Sequence, residues 1–308
     1  MSSNQDLIND LASKHLGKAG DGTVVKPYVT PDEVDSSLLV SVPRYLNRVA
    51  YNIDDESLPF VGTDSWNAYE FSTLLTNGFP ISGWLKFTYP SDSLNIVESK
   101  SVKLYLNSYN MAKLIDTIDD INIIEHQIAE HISLAVGSHA NVSIRIGDVD
   151  TSRPINGDFT ALETYCNVEK MTFDQYNESP NTLEVVPSIG RYEKWRSNSL
   201  RSNCRVTNQP DWGDVYIHIK GEKSVTPESL LQYIVSMRKE NHFHEEVAEC
   251  IYKRLWDLLS PEELFVACLY TRRGGIDINP VRASDCNVLY NYGNICDSDV
   301  FCTKTARQ

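Results

Sequence analysis

The chain has 308 residues, 41% of them hydrophobic and 23% charged, and a formal net charge of −14. That length and apolar content suffice for two compact units with real cores. No apolar run approaches the ~20 residues of a membrane helix, Met1-Ser2-Ser3-Asn4-Gln5-Asp6 lacks the regions of a signal peptide, and no basic patch offsets the repulsion of phosphate backbones. A cytoplasmic globular protein without membrane or nucleic-acid partners is therefore expected.

In chain order, residues 83–89 and 94–106 read as strands, residues 115–136 carry helical spacing of apolar side chains, and residues 141–146 alternate like a strand. From about Asp148 to Ile189 the chain is rich in Asn, Ser, Thr and Pro and reads as a long connector. Beyond it, residues 204–207 and 215–220 read as strands, and Thr226 with Pro227 marks a helix start. Apolar positions at Phe243, Val247, Cys250, Ile251, Leu255 and Leu258 give a second helix. Ser260-Pro261-Glu262-Glu263 fits a capping box on a short turn, and residues 264–271 form a further strand. Each half is strands, two helices, strands. The expected class is α+β: two sheet-plus-helix modules at 51–150 and 191–308, an extension at 1–50 and a connector at 151–190.

Seven cysteines, an odd number with irregular spacing and no CxxC pair, argue against a disulfide framework and against a thiolate zinc site. Cys204 is the one placed for chemistry. Thr207-Asn208-Gln209-Pro210-Asp211-Trp212-Gly213 carries turn formers, so the chain can double back and bring Asp211 near the thiol. The alternative is a small buried hydrophobe beside a turn residue.

Three further clusters carry charge. In Val97-Glu98-Ser99-Lys100-Ser101, strand periodicity puts Glu98 and Lys100 on one face; this is either a guarded edge strand or a carboxylate that accepts paired N–H donors beside a lysine that meets a phosphate. Glu240 to Glu246 opens a helix, where Phe243 could stack on a flat ring and Glu245 accept its N–H groups, against a solvated helix start or, less simply, a metal site. Tyr270 to Pro280 joins Arg272 and Arg273 to Gly274 and Gly275, which suits a phosphate or a bulged hairpin with surface arginines.

Together with Leu58-Pro59-Phe60-Val61-Gly62-Thr63-Asp64-Ser65-Trp66, these segments resemble the 7-cyano-7-deazaguanine reductases, the NADPH-dependent nitrile oxidoreductases of queuosine biosynthesis, in their long two-module form. The resemblance covers residues 58 to about 283. It implies tandem tunnelling-fold modules, antiparallel sheets each carrying a pair of helices on one face, and a homodimer. It makes Cys204 the nucleophile that forms a thioimide with the nitrile, and Asp211 the proton donor to the nitrile nitrogen. Val97, Glu98, Ser99, Phe243, His244 and Glu245 match substrate-binding positions. Ser99, Lys100, Arg273 and Gly274 match NADPH contacts, with two NADPH used per nitrile and no metal.

NADPH follows from the resemblance alone, since no GxGxxG stands between a strand and a helix. Moving a thiol proton to a free carboxylate runs uphill by about 4.6 pKa units, so the pocket is expected to raise Asp211 by burial and to lower Cys204 through Lys100 or His244. Two other functions compete. One is a zinc cyclohydrolase of the same fold acting on a purine- or pterin-like substrate, and the other a non-catalytic base-binding module.

Overall fold

A computed structural model describes residues 31–188, 192–205, 207–305 and 308; the N-terminal hexapeptide, most of the 1–50 extension and Val206 lie outside them. Strand β1 (Ser41–Pro43) leads into the one-turn helix α1 (Tyr45–Arg48). The long strands β2 (Val61–Leu75) and β3 (Pro80–Pro90) make the first hairpin, and β4 (Asn95–Val97) pairs back onto β1. Helix α2 (Ser99–Asn107), β5 (Lys113–Ile115), α3 (Ile121–Val136) and β6 (Asn141–Ile146) complete this half. The polar segment that follows carries β7 (Thr160–Ala161), the short helix α4 (Leu162–Tyr165) and β8 (Val185–Pro187).

The second half opens on β9 (Tyr192–Cys204), β10 (Pro210–Lys220) and β11 (Lys223–Val225). Helix α5 (Pro227–Ser236), β12 (Asn241–His242) and α6 (His244–Leu259) come next, then β13 (Glu263–Tyr270), β14 (Ile276–Ala283) and α7 (Cys286–Tyr292). Thr226 caps α5 by accepting from Ser229 N, with Pro227 in the first turn, as its sequence predicts.

Ten strands form one mixed sheet whose main path runs β12-β9-β10-β13-β14-β2-β3-β6, with β5 on β2 and β7 on β9. It is largely antiparallel, so the molecule is α+β. The halves meet where β14 pairs antiparallel with β2, from Ile276↔Ala68 to Ala283↔Val61.

Strand alternation follows from this register. On one face Val215 and Ile217 lie opposite Cys268 and Val266 and pack under α5 and α6. On the same face Ile278, Trp66 and Phe87 stand in one row and pack under α2 and α3 through Val102, Leu106, Ile124 and Ile128. The opposite face, with Phe265, Ala267, Val281 and Ala283, is covered by Val288 and Leu289 of α7. No described helix is long and apolar enough to cross a membrane.

Beneath the join lies a buried ion network. Arg282 pairs with Asp64 at 2.7 Å and Glu249 at 2.9 Å, Arg48 with Glu249 at 2.7 Å, and Arg44 with Asp64 at 2.5 Å. Burial alone would raise Glu249, yet the charges of Arg282, Arg48 and Arg44 hold its carboxyl at about 2. α1, β2, β14 and α6 are thereby fastened together.

Four expected elements differ. Residues 94–106 are not one strand: β4 ends at Val97, and α2 begins because the Glu98 carboxylate accepts from Ser101 N at 2.7 Å. Val102, Tyr105, Leu106 and Tyr109 then recur at helical spacing and are buried. The expected 115–136 helix starts only at Ile121, since Ile115 ends β5 and Asp120 reaches back to Thr117 N. Ser260 caps no new turn; at φ 47° it ends α6 in the left-handed conformation before β13. Cys204 closes β9 rather than opening a strand, because Asn208 N donates to its carbonyl and turns the chain.

Candidate active site

A cavity of about 590 Å³ opens where α2, the β9–β10 turn, the start of α6 and the β13–β14 hairpin converge. Its lining includes Val97, Glu98, Ser99, Lys100, Cys204, Asp211, Phe243, His244, Glu245, Arg273 and Gly274, the residues to which the resemblance gives a site role, while Arg272 and Gly275 of the same cluster do not line it. Trp66, Leu104, Ile276 and Ile278 add apolar wall. The size and the mixture of apolar wall with a few converging polar groups suit a small aromatic ligand with a cofactor at its edge.

Cys204 and Asp211 enter from one hairpin. Asp211 stands opposite Ser202, two residues before Cys204, so both point to the helix-bearing face as diagonal neighbours. Cys204 N donates to Gln209 O at 2.8 Å, and Asn208 adopts φ 55° to close the turn. All seven cysteines are free thiols, of which five are buried, Cys286 is exposed and Cys204 is half-buried at the cavity.

Asp211 is 3% exposed and doubly paired, with Arg273 Nη1 at 2.5 Å and His244 Nε2 at 3.5 Å. This corrects the expected rise. Burial pushes the carboxyl up, but the hydrogen bond and charge of His244, then the charge and hydrogen bond of Arg273, outweigh it and hold Asp211 below its ordinary value. The His244 ring is fixed by stacking on Tyr270 at 3.8 Å and 10°. Arg273 also donates to Gln209 Oε1.

Glu245 is the opposite case. Burial, then the charge of Asp64, raise its carboxyl to about 7, only partly countered by His244. Its Oε1 is buried without a hydrogen-bond partner among the described residues, as are Trp66 Nε1 and His244 Nδ1. Orphaned buried polar atoms around a cavity are positions for a ligand's donors and acceptors. Glu98 is partly engaged already, since Ser101 N and the Ser99 hydroxyl, at 2.7 and 3.3 Å, donate to its carboxylate.

The rim is basic. Among the described residues Lys100 has no hydrogen-bond or ion-pair partner, and Lys103 Nζ donates to Gly274 O at 2.8 Å. Gly274 and Gly275 have φ of 60° and 80°, a left-handed backbone that favours glycine at both positions of the hairpin. A partner-free lysine, Arg273 and a glycine hairpin fit the phosphates of a dinucleotide. Among the described residues no group of three or more His, Cys, Asp or Glu side chains is placed to hold a metal ion.

The sequence reading missed a supporting layer. His242 lies between Glu246 at 3.0 Å and Glu240 at 3.2 Å; burial opposes its charge, but both carboxylates raise it to about 9. Arg205 pairs with Glu246 at 3.3 Å and lies over the Phe243 ring at 5.8 Å. Its only sequence signal was the crowding of charge in Glu240 to Glu246.

The chain matches known proteins over most of its length. The family model described as "Nitrile reductase, 7-cyano-7-deazaguanine-reductase N-term" covers residues 30–144, and the one described as "QueF-like protein" covers residues 210–287. The NADPH-dependent 7-cyano-7-deazaguanine reductase of Rickettsia massiliae (strain Mtu5) is 40% identical over 258 residues, 82% of this chain and 89% of the relative. That of Dechloromonas aromatica (strain RCB) is 37% identical over 270 residues, 88% of this chain and 91% of the relative. Among solved structures, the archaeosine synthase QueF-Like in the apo form matches 32% of this chain and 91% of its own, with 19% identity and a TM-score of 0.27, too slight to carry an argument. On identity and coverage with its curated relatives, the chain belongs to the family of NADPH-dependent 7-cyano-7-deazaguanine reductases.

Proposed function

We propose that the chain carries out its family's reaction, NADPH-dependent reduction of the nitrile of 7-cyano-7-deazaguanine to an aminomethyl group in queuosine biosynthesis, with Cys204 as nucleophile. The observation that carries this assignment is the convergence of Cys204, Asp211, Glu98 and Glu245 on one cavity.

The chain's residues divide the work. Glu245 Oε1 and Glu98 offer acceptors to the N–H groups of the base, and Phe243 lines the cavity beside them. Asp211, ionised in the ligand-free site, takes the Cys204 proton as the sulfur adds to the nitrile carbon, and returns it to the nitrile nitrogen. One C–S bond forms, one C–N π bond breaks, and a thioimide on Cys204 results. Ser99, Lys100, Arg273 and Gly274 would hold NADPH, which would supply the hydride for reduction. Reduction of a nitrile to an amine takes up two hydrides and two protons in all, and Cys204 would be released as the thiol.

The same proposal takes the two halves as tandem tunnelling-fold modules, at 51–150 and 191–308 and joined by the 151–190 connector. It places the protein in the cytoplasm as a homodimer. Support for the modules is that α2 with α3, and α5 with α6, cover the same face of the sheet.

Steady-state NADPH oxidation with product analysis tests the activity. Wild type should consume about two NADPH per aminomethyl product, and Cys204→Ala should show none while still binding substrate. Nitrile reduction by Cys204→Ala would rule out the assignment.

A further inference from the structure

Cys204 faces the cavity because of a β-bulge. Ser197 pairs with Val215 and Leu200 with Gly213, so three residues of β9 are spent against two of β10. Before the bulge Trp195 and Ser197 point to the helix-bearing face; after it Leu200, Ser202 and Cys204 do. Without the extra residue the alternation would continue through Ser199, Arg201 and Asn203, and Cys204 would point away from Glu98 and Glu245.

The other edge of β9 pairs with β7 at Trp195 and Arg196, and with β12 at Asn203 and Cys204. Among the described residues no strand pairs with that edge in between. There a single carboxylate oxygen takes the place of a strand. Glu163 Oε1 accepts from Asn198 N at 3.0 Å, Ser199 N at 3.2 Å, the Ser197 hydroxyl at 2.5 Å and the Ser199 hydroxyl at 2.8 Å. Glu163 sits in α4, directly after β7, so pairing of β7 with β9 delivers the carboxylate to the bulge.

We propose that Glu163 is a positioning residue for the reaction: by gathering the bulge's N–H and hydroxyl donors it fixes the β9 register that aims Cys204 into the cavity. This rests on Cys204 as the nucleophile. Charge-assisted hydrogen bonds are roughly twice as strong as neutral ones, and a displacement of about 1 Å at a reacting atom costs on the order of 10²-fold in rate.

The test compares Glu163→Ala with Glu163→Gln, which keeps an acceptor oxygen. Adduct formation on Cys204 with the nitrile substrate should slow by roughly 10²-fold in Glu163→Ala and recover at least about tenfold of that loss in Glu163→Gln. Substrate affinity, measured on a Cys204→Ala background, should stay within about twofold, because Glu98 and Glu245 lie on other elements. A wild-type rate in Glu163→Ala, a parallel loss of affinity, or no recovery in Glu163→Gln would overturn the inference. Alkylation of Cys204 by iodoacetamide relative to Cys286 reads the sulfur's aim without substrate. The ratio should fall in Glu163→Ala, and an unchanged ratio also overturns the inference. Absence of a Cys204 adduct in wild type would instead remove the proposed nucleophile and leave the bulge untouched.

Discussion

Arg273 Nη1 donates to Asp211 Oδ1 at 2.5 Å, so the group proposed as proton donor is held as a carboxylate before substrate arrives. In the proposed reaction an ionised Asp211 would act first as a base toward the thiol and only then as the acid toward nitrogen. Asp211→Asn keeps the shape but can neither accept nor deliver that proton, and adduct formation should slow by roughly 10²–10⁴. The pH dependence has a definite sign. The folded carboxyl lies below its unfolded value of about 3.9, so its stabilisation is present above that pH and is lost as pH falls through the folded value. Acid unfolding of Asp211→Asn should lack that contribution, measured by circular dichroism alongside wild type.

Glu245 titrates in the opposite sense. Its folded carboxyl, at about 7, lies above the unfolded value of about 4.3, so its ionisation costs stability increasingly as pH rises from the lower value and in full above the higher. A base that donates N–H groups favours the carboxylate. Substrate affinity, titrated by calorimetry on a Cys204→Ala background, should therefore strengthen as pH rises toward about 7 and level off above it. Glu245→Gln should bind more weakly by about 2 kcal/mol and lose the pH dependence.

Glu98 holds two roles at once, cap of α2 and wall of the cavity. Glu98→Ala should lower substrate affinity by about 2 kcal/mol and, separately, fold stability by about 1 kcal/mol. Calorimetry and denaturant unfolding measure the two. A loss of stability with unchanged affinity would leave Glu98 as a cap alone.

What was legible in the sequence was local. Asn208-Gln209-Pro210-Asp211 announced a turn, and Thr226-Pro227 announced a helix, because the residues that build those features lie next to one another. Residues 98–101 misled because charged and serine side chains alternate there as on a strand, while the deciding contact is Glu98 capping Ser101 N. The state of Asp211 was not legible, since His244 and Arg273 reach it across the fold. Nor was the bulge, whose fastening residue Glu163 lies 34 to 36 positions before the groups it holds.

The central claim is covalent capture of the nitrile by Cys204, and intact-mass spectrometry with peptide mapping after incubation with 7-cyano-7-deazaguanine, without NADPH, tests it most directly. The predicted result is one adduct per chain at the full mass of the nitrile, confined to the peptide bearing Cys204, absent in Cys204→Ala and discharged when NADPH is added. Turnover with no adduct, or an adduct on Cys286 in place of Cys204, would contradict it.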